Sequence, residues 1–138
     1  MPESRNGLPK TASDATSMRV LLVEDNPISL KVGTRLLERE GCFVMSAPNG
    51  YEALAQMSHS EFDLILMDLQ MPGMDGIQAT RELRRREDGK RRSTVVMLSG
   101  SATAEDQERA KAAGADAYLL KPVQIDELRR VLAEYNAG

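Results

Sequence analysis

The chain has 138 residues, 41% hydrophobic and 28% charged, with a formal net charge of −3 at pH 7. That length suits one domain with its own core, and the slight acidic balance gives no global attraction to nucleic acid or an anionic membrane. A single cysteine, Cys42, excludes an internal disulfide; no apolar run approaches the roughly 20 residues of a membrane span, and the opening segment lacks a signal peptide's apolar core, so a cytoplasmic protein without membrane insertion is expected.

Residues 1–17, "MPESRNGLPKTASDATS", are polar and follow neither the helical nor the strand period. They offer too little apolar area to offset the entropy of ordering, which predicts a disordered tail before a domain over 18–138, with a docking tail as the alternative. The first oily run, "RVLLV" at 19–23, ends on Glu24 and Asp25, and Asp25-Asn26-Pro27 suits a helix start with Pro27 in the first turn. Ile28, Val32 and Leu36 share one helical face, expected to pack inward. "CFVMSA" at 42–47 is the second strand run and includes Cys42; Leu54 and Met57 anchor a shorter helix after it. "FDLILM" at 62–67 leads into Asp68 and the turn-rich "LQMPGMDG", and Ile77, Thr80 and Leu83 mark the next helix. "TVVMLS" at 94–99 ends on Ser99. The helix expected over about 103–113 has only Ala104, Gln107, Ala110 and Ala113 at inward spacing; such small side chains bury little area, so this is the expected mobile side. "AYLL" at 117–120 runs into Lys121-Pro122, and Ile125, Leu128, Leu132 and Tyr135 form the last helical face.

Strand and helix thus alternate five times. Parallel strands need long crossovers, and right-handed crossovers place helices on both sides, so the prediction is an α/β fold with a doubly wound five-stranded parallel sheet and helices on both faces. Gly50, Gly76 and Gly114 stand near expected boundaries, where positive φ or close backbone approach is useful. Neither a GxxxxGK[ST] loop nor a GxGxxG after the first strand is present, which removes the nucleotide-binding signatures from an otherwise compatible pattern.

Open α/β sheets carry their sites at the carboxyl ends of the strands. Those ends hold Glu24, Asp25, Asp68, Ser99 and Lys121. Taken singly, each has a structural explanation as a cap, turn or solvated boundary residue. Taken together, clustered carboxylates call for a cation, and an all-oxygen set suits Mg²⁺, with Mn²⁺ as a substitute. Lys121 and the Ser99 hydroxyl match the charge spread over the oxygens of a phosphoryl group in transfer.

In "VLLVEDN", "LILMDLQMPGMDG", "LSG" and "YLLKP", taken in that order from about Met18 to Leu132, the sequence resembles the receiver domain of two-component response regulators and hybrid histidine kinases. The resemblance implies the flavodoxin-like (β/α)5 fold. It further implies Asp68 as phosphoacceptor from phosphohistidine on a histidine kinase or histidine phosphotransfer protein, assisted by Lys121 and Ser99. Asp25, Asp68 and a backbone oxygen of Gln70 would hold Mg²⁺, with Glu24 acting directly or through water. A cis bond before Pro122, a Ser99–Tyr118 switch pair and a downstream effector protein complete what it implies.

Ser29 departs from an Asn commonly repeated in phosphorelay receivers; Gly100, after the switch hydroxyl, either leaves access to Asp68 open or serves a turn, and Gln70 and Ser101 occupy places near which family members vary their phosphoryl lifetime. The basic cluster "RRREDGKRR" at 84–92 holds acids and lacks interleaved aromatics, so it reads as a solvated helix end and loop, without direct nucleic-acid binding. His59 reads as a surface residue, and Met67, Met71, Met74 and Met97 require no cofactor. Two further functions stay open: a Mg²⁺-dependent phosphohydrolase with an aspartyl-phosphate intermediate, which lacks a second acid at Gln70, and a phosphorylation-independent binding module.

Overall fold

Five strands and five helices alternate along residues 18–88, 92–101 and 103–135, the residues described in this computed structural model. The tail expected over 1–17 lies outside them. The elements are β1 Arg19–Val23, α1 Pro27–Arg39, β2 Phe43–Ala47, α2 Gly50–Met57, β3 Leu64–Asp68, α3 Gly76–Arg86, β4 Thr94–Ser99, α4 Ala104–Ala113, β5 Ala117–Leu120 and α5 Ile125–Tyr135. All strand pairs are parallel, in the order β2-β1-β3-β4-β5. Cys42 precedes β2 instead of forming part of it; it is buried, and burial followed by the charge of Glu40 pushes its thiol up to about 11.

Short polar side chains set where the helices begin. The Asn26 Oδ1 accepts from the backbone of Ile28 and Ser29, with Pro27 at the first helical position. Asn49 caps α2, and Asp75 with Gln78 closes a capping box on α3. Thr103 caps α4, which ends on Gly114 in the left-handed region at φ 108.

Alternate side chains of the central strands enter two cores. Leu21, Ile65, Met67, Val95 and Met97 pack under α2, α3 and α4; Val20, Leu22, Leu66, Val96 and Leu98 pack with Leu37 of α1 and with Leu128, Val131 and Leu132 of α5. The expected faces of α3 and α5 hold, with Ile77, Thr80 and Leu83 buried and Leu128 and Leu132 likewise.

Two expected faces differ. On α1, Leu37 is buried while Ile28 is 75% and Val32 52% exposed, so the helix rests on the sheet through a neighbouring stripe. On α4 only Ala110 and Ala113 are buried; Ala104 and Gln107 are exposed, so the inward face is confined to the last turn. The edge strand β2 also departs from the two-sided burial expected of its oily run: Phe43 is exposed, with the Arg19 guanidinium 4.9 Å from its ring centre.

Candidate functional site

The parallel register brings the ends of β1, β3, β4 and β5 to one edge. Glu24 directly follows β1, where its backbone N–H donates to the Ala47 carbonyl at 3.0 Å, and its side chain is buried. One carboxylate oxygen accepts from the Asn26 backbone at 3.1 Å; the other accepts from Lys121 Nζ at 3.1 Å. Asp25, next along the chain, is exposed. Hence Asn26 does cap α1, as one reading of the segment held, while the two acids before it sit at the strand ends.

Asp68 is the last residue of β3, between β1 and β4, and is 2% exposed. Its Oδ1 accepts from the Gln70 backbone N–H at 3.2 Å, and its Oδ2 lies 3.2 Å from Lys121 Nζ. The turn after it must come back close: Gly76 N–H donates to the Leu69 carbonyl, and a Cβ on Gly76 would stand 2.4 Å from the Asp68 carbonyl oxygen. This is the close approach anticipated for Gly76, and it explains why α3 begins with glycine.

One carboxylate oxygen from each of Glu24, Asp25 and Asp68 can be chosen so that all lie within 4.8 Å of one another. Burial first, and then the Glu24 charge, push the Asp68 carboxyl up to about 6 against the pull of Lys121. Burial works against the Lys121 ammonium, yet Glu24 and Asp68 outweigh it and hold its pKa above the usual lysine value. Three carboxylates and one ammonium leave two negative charges when all are ionised. That charge and the all-oxygen donor set fit a hard divalent cation.

Ser99 ends β4 and is 1% exposed, with its Oγ accepting from the Ser101 backbone N–H at 3.0 Å. Tyr118, half-buried on β5, donates its hydroxyl proton to the Ser101 carbonyl at 2.7 Å. Ser99 and Tyr118 therefore meet through one intervening residue. The Lys121–Pro122 bond is cis. The Gln70 side chain is exposed beside the site, and His59 is exposed in the turn after α2, at the opposite edge of the sheet.

Two features had no readable signal. A groove of about 300 Å³ runs from Ile28 and Val32 on α1 to Pro122, Val123 and Leu128, with Glu24 and Lys121 at its site end. The basic cluster is also less solvated than its composition suggested. Arg85 and Arg86 do face solvent, but the Arg84 side chain is only 16% exposed and Arg92 pairs with Asp116 at 2.7 Å. Residues 89–91 of that run lie outside the described residues.

Residues 20–133 match the response regulator receiver domain family. The chain is 37% identical over 128 residues to hybrid signal transduction histidine kinase G of Dictyostelium discoideum, covering 91% of this chain and 4% of that protein. Across the first curated relatives it spans between 4% and 15% of their length. Among solved structures it is similar to the receiver domain of a Pseudomonas aeruginosa sensor histidine kinase, which holds a magnesium ion in its active-site cleft (36% identity, TM-score 0.80, covering 88% of this chain and 99% of that one). It is likewise similar to the Saccharomyces cerevisiae Ssk1 receiver, crystallised with the histidine phosphotransfer protein Ypd1 (31% identity, TM-score 0.80, 87% and 89% covered).

Proposed function

This chain belongs to the response regulator receiver domain family, and from that premise we propose that Asp68 accepts a phosphoryl group from phosphohistidine and thereby resets a protein-binding surface. The observation that carries the assignment is the placement of Asp68: buried at a strand end, 3.2 Å from Lys121 and gathered with Glu24 and Asp25. A carboxylate raised to about 6 is largely ionised at neutral pH and so remains a competent nucleophile. In the transfer, an Asp68 oxygen forms the new P–O bond while the donor's N–P bond breaks, and the imidazole leaves with that bonding pair.

Lys121, already between two carboxylates, turns its charge to the incoming phosphoryl oxygens, and Ser99 supplies a hydroxyl donor. Asp25, Asp68 and the Gln70 carbonyl would hold Mg²⁺, with Glu24 directly or through water and Mn²⁺ as a substitute. Bound there, the ion supplies neutralising charge and polarises a phosphoryl oxygen. When Ser99 turns toward the phosphoryl group, Ser101 N–H loses its acceptor and the Tyr118–Ser101 bond is released from its present arrangement. The surface of α4, β5 and α5, where Leu120 is 44% exposed, then receives a downstream effector.

The donor is a histidine kinase or a histidine phosphotransfer protein in the cytoplasm. Exposed Ile28 and Val32, with the groove ending at Glu24 and Lys121, provide it an apolar landing beside Asp68. Among the described residues no helix is long and apolar enough to cross a membrane. Incubation with a small-molecule phosphodonor, with and without Mg²⁺, tests the assignment by intact mass. One hydroxylamine-labile phosphoryl group is expected on the wild type only with Mg²⁺, and none on Asp68→Asn; equal labelling of the variant would overturn it.

A further inference from the structure

The helix α4 is held very differently at its two ends. In its N-terminal part Ala104, Glu105, Gln107, Glu108 and Arg109 are exposed, and the cap consists of Thr103 Oγ1 accepting from Asp106 N–H at 3.2 Å. Just before it, Gly100 has open space around the position a Cβ would take. All of its buried side chains, Ala110 and Ala113, belong to the last turn.

Immediately beyond that turn lies the Arg84 guanidinium, projecting from α3. Its Nε and one Nη2 proton reach the Gly114 carbonyl at 3.0 and 2.8 Å, and Nη2 also reaches Asp116 Oδ2 at 3.0 Å. Nη1 donates to Glu87 Oε1 and to the Ser93 carbonyl, each at 2.7 Å. A guanidinium has five N–H donors, so none is left over. Gly114 is the left-handed residue that ends α4, and its carbonyl is one of the groups a helix terminus leaves unsatisfied. A Cβ at Gly114 would stand 2.8 Å from Arg84 Cγ, so glycine is needed both for the φ of 108 and for the fit. Asp116 carries the hold into the sheet: its Oδ2 accepts from Val95 N–H at 2.9 Å, and its own N–H donates to the Val95 carbonyl at 2.7 Å.

We propose that Arg84 is the positioning residue of the switch: it fixes the C-terminal end of α4 to β4, so that a rearrangement begun at Ser99 and Ser101 turns the helix about Gly114 and moves chiefly its N-terminal half. The inference rests on the phosphoryl-switch reading. A helix free at both ends would dissipate the displacement of Ser101 by sliding as a whole. One pinned at Gly114 converts it to an angular motion that grows toward Thr103, the end nearest Ser99. Arg84 touches neither Asp68 nor its acid neighbours, so it acts on transmission and not on phosphorylation.

Residue-resolved amide exchange on the full chain, unphosphorylated and after a small-molecule phosphodonor with Mg²⁺, tests this, with labelling checked by intact mass. In the wild type the phosphorylation-induced change in exchange should be about tenfold or more greater over 104–107 than over 110–113, a contrast typical of separate local openings. In Arg84→Met, labelling and Mg²⁺ affinity should stay at the wild-type level while 110–116 exchange about tenfold faster and the response spreads evenly along α4. Arg84→Lys, keeping the charge with fewer directed donors, should fall between. A purely structural arginine would accelerate exchange everywhere and leave the 104–113 gradient of the response intact; that result, or an even response in the wild type, overturns the proposal. Should Arg84→Met fail to fold, Asp116→Asn decides: a partly flattened gradient supports the pivot, an unchanged one refutes it. Absence of any response at Ser99 and Tyr118 in the labelled wild type would instead remove the switch reading beneath it, and the pivot with it.

Discussion

Replacing Asp68 by Asn should make the metal-free domain more stable at neutral pH, the reverse of the usual result for a buried ion-paired carboxylate. Burial and Glu24 together exceed the attraction of Lys121, so the carboxyl is raised from an ordinary 3.8 to about 6. Each tenfold change in proton affinity is about 1.4 kcal/mol, so the ionised side chain costs the folded state about 3 kcal/mol relative to its neutral form. Because the folded pKa lies above the unfolded one, the stability is fully present below about pH 4 and is lost as pH rises through about 6. Asn mimics the neutral form in shape. Urea unfolding in EDTA should therefore show D68N ahead by about 2–3 kcal/mol at pH 7.5 and level with the wild type near pH 3.5. Millimolar Mg²⁺ should raise wild-type stability toward the variant's, because a ligand bound only by the folded state adds its binding free energy. A variant less stable than the wild type at pH 7.5 would show that Lys121 dominates the cluster, and an advantage that persists at pH 3.5 would show that the gain does not come from the ionised carboxylate; either result refutes the burial argument.

Asp25→Asn removes an exposed charged oxygen ligand candidate and should weaken Mg²⁺ binding by about tenfold, on the order of 1–2 kcal/mol, with little effect on unfolding in EDTA; calorimetric titration with MgCl₂ reads the first and urea unfolding in EDTA the second. Lys121→Ala should lower the yield of phosphorylated protein from a small-molecule donor while raising the apparent pKa of Asp68 beyond its present value, followed by carboxyl NMR titration; an unshifted Asp68 would contradict the 3.2 Å pair. The double change Ile28→Glu with Val32→Glu alters side chains that are already exposed, so the unfolding midpoint should move by less than about 0.5 kcal/mol. Transfer from a phosphohistidine protein should nevertheless slow about tenfold or more, while labelling by a small-molecule phosphodonor is unchanged. Equal slowing with both donors would refute the landing face.

The alternation of oily and amphipathic segments was sufficient for the α/β class, the parallel sheet and the gathering of Glu24, Asp25, Asp68, Ser99 and Lys121 at one edge. These follow from local periods and from the rule that parallel strands present their carboxyl ends together, so each is readable in a few neighbouring residues. The burial of Asp68 under a raised pKa was not readable. It depends on how far Asp68 is enclosed beside Glu24, which outweighs the pull of Lys121, remote in the chain, and on Gly76 letting the turn return over the strand end.

The helix faces divide the same way. An apolar stripe on α3 or α5 is covered because a neighbouring core layer is opposite, whereas the Ile28–Val32 stripe has the right spacing and no cover, since α1 settles on the sheet through Leu37. Arg84 makes the converse case: in a run of arginines its composition pointed to solvent, and the left-handed turn at Gly114, 30 residues on, turned a carbonyl toward it. Periodicity carries what a segment prefers, because that preference arises within a few turns of chain. Which apolar face stays open and which charge is enclosed depends on partners distant in sequence, and packing alone brings them together.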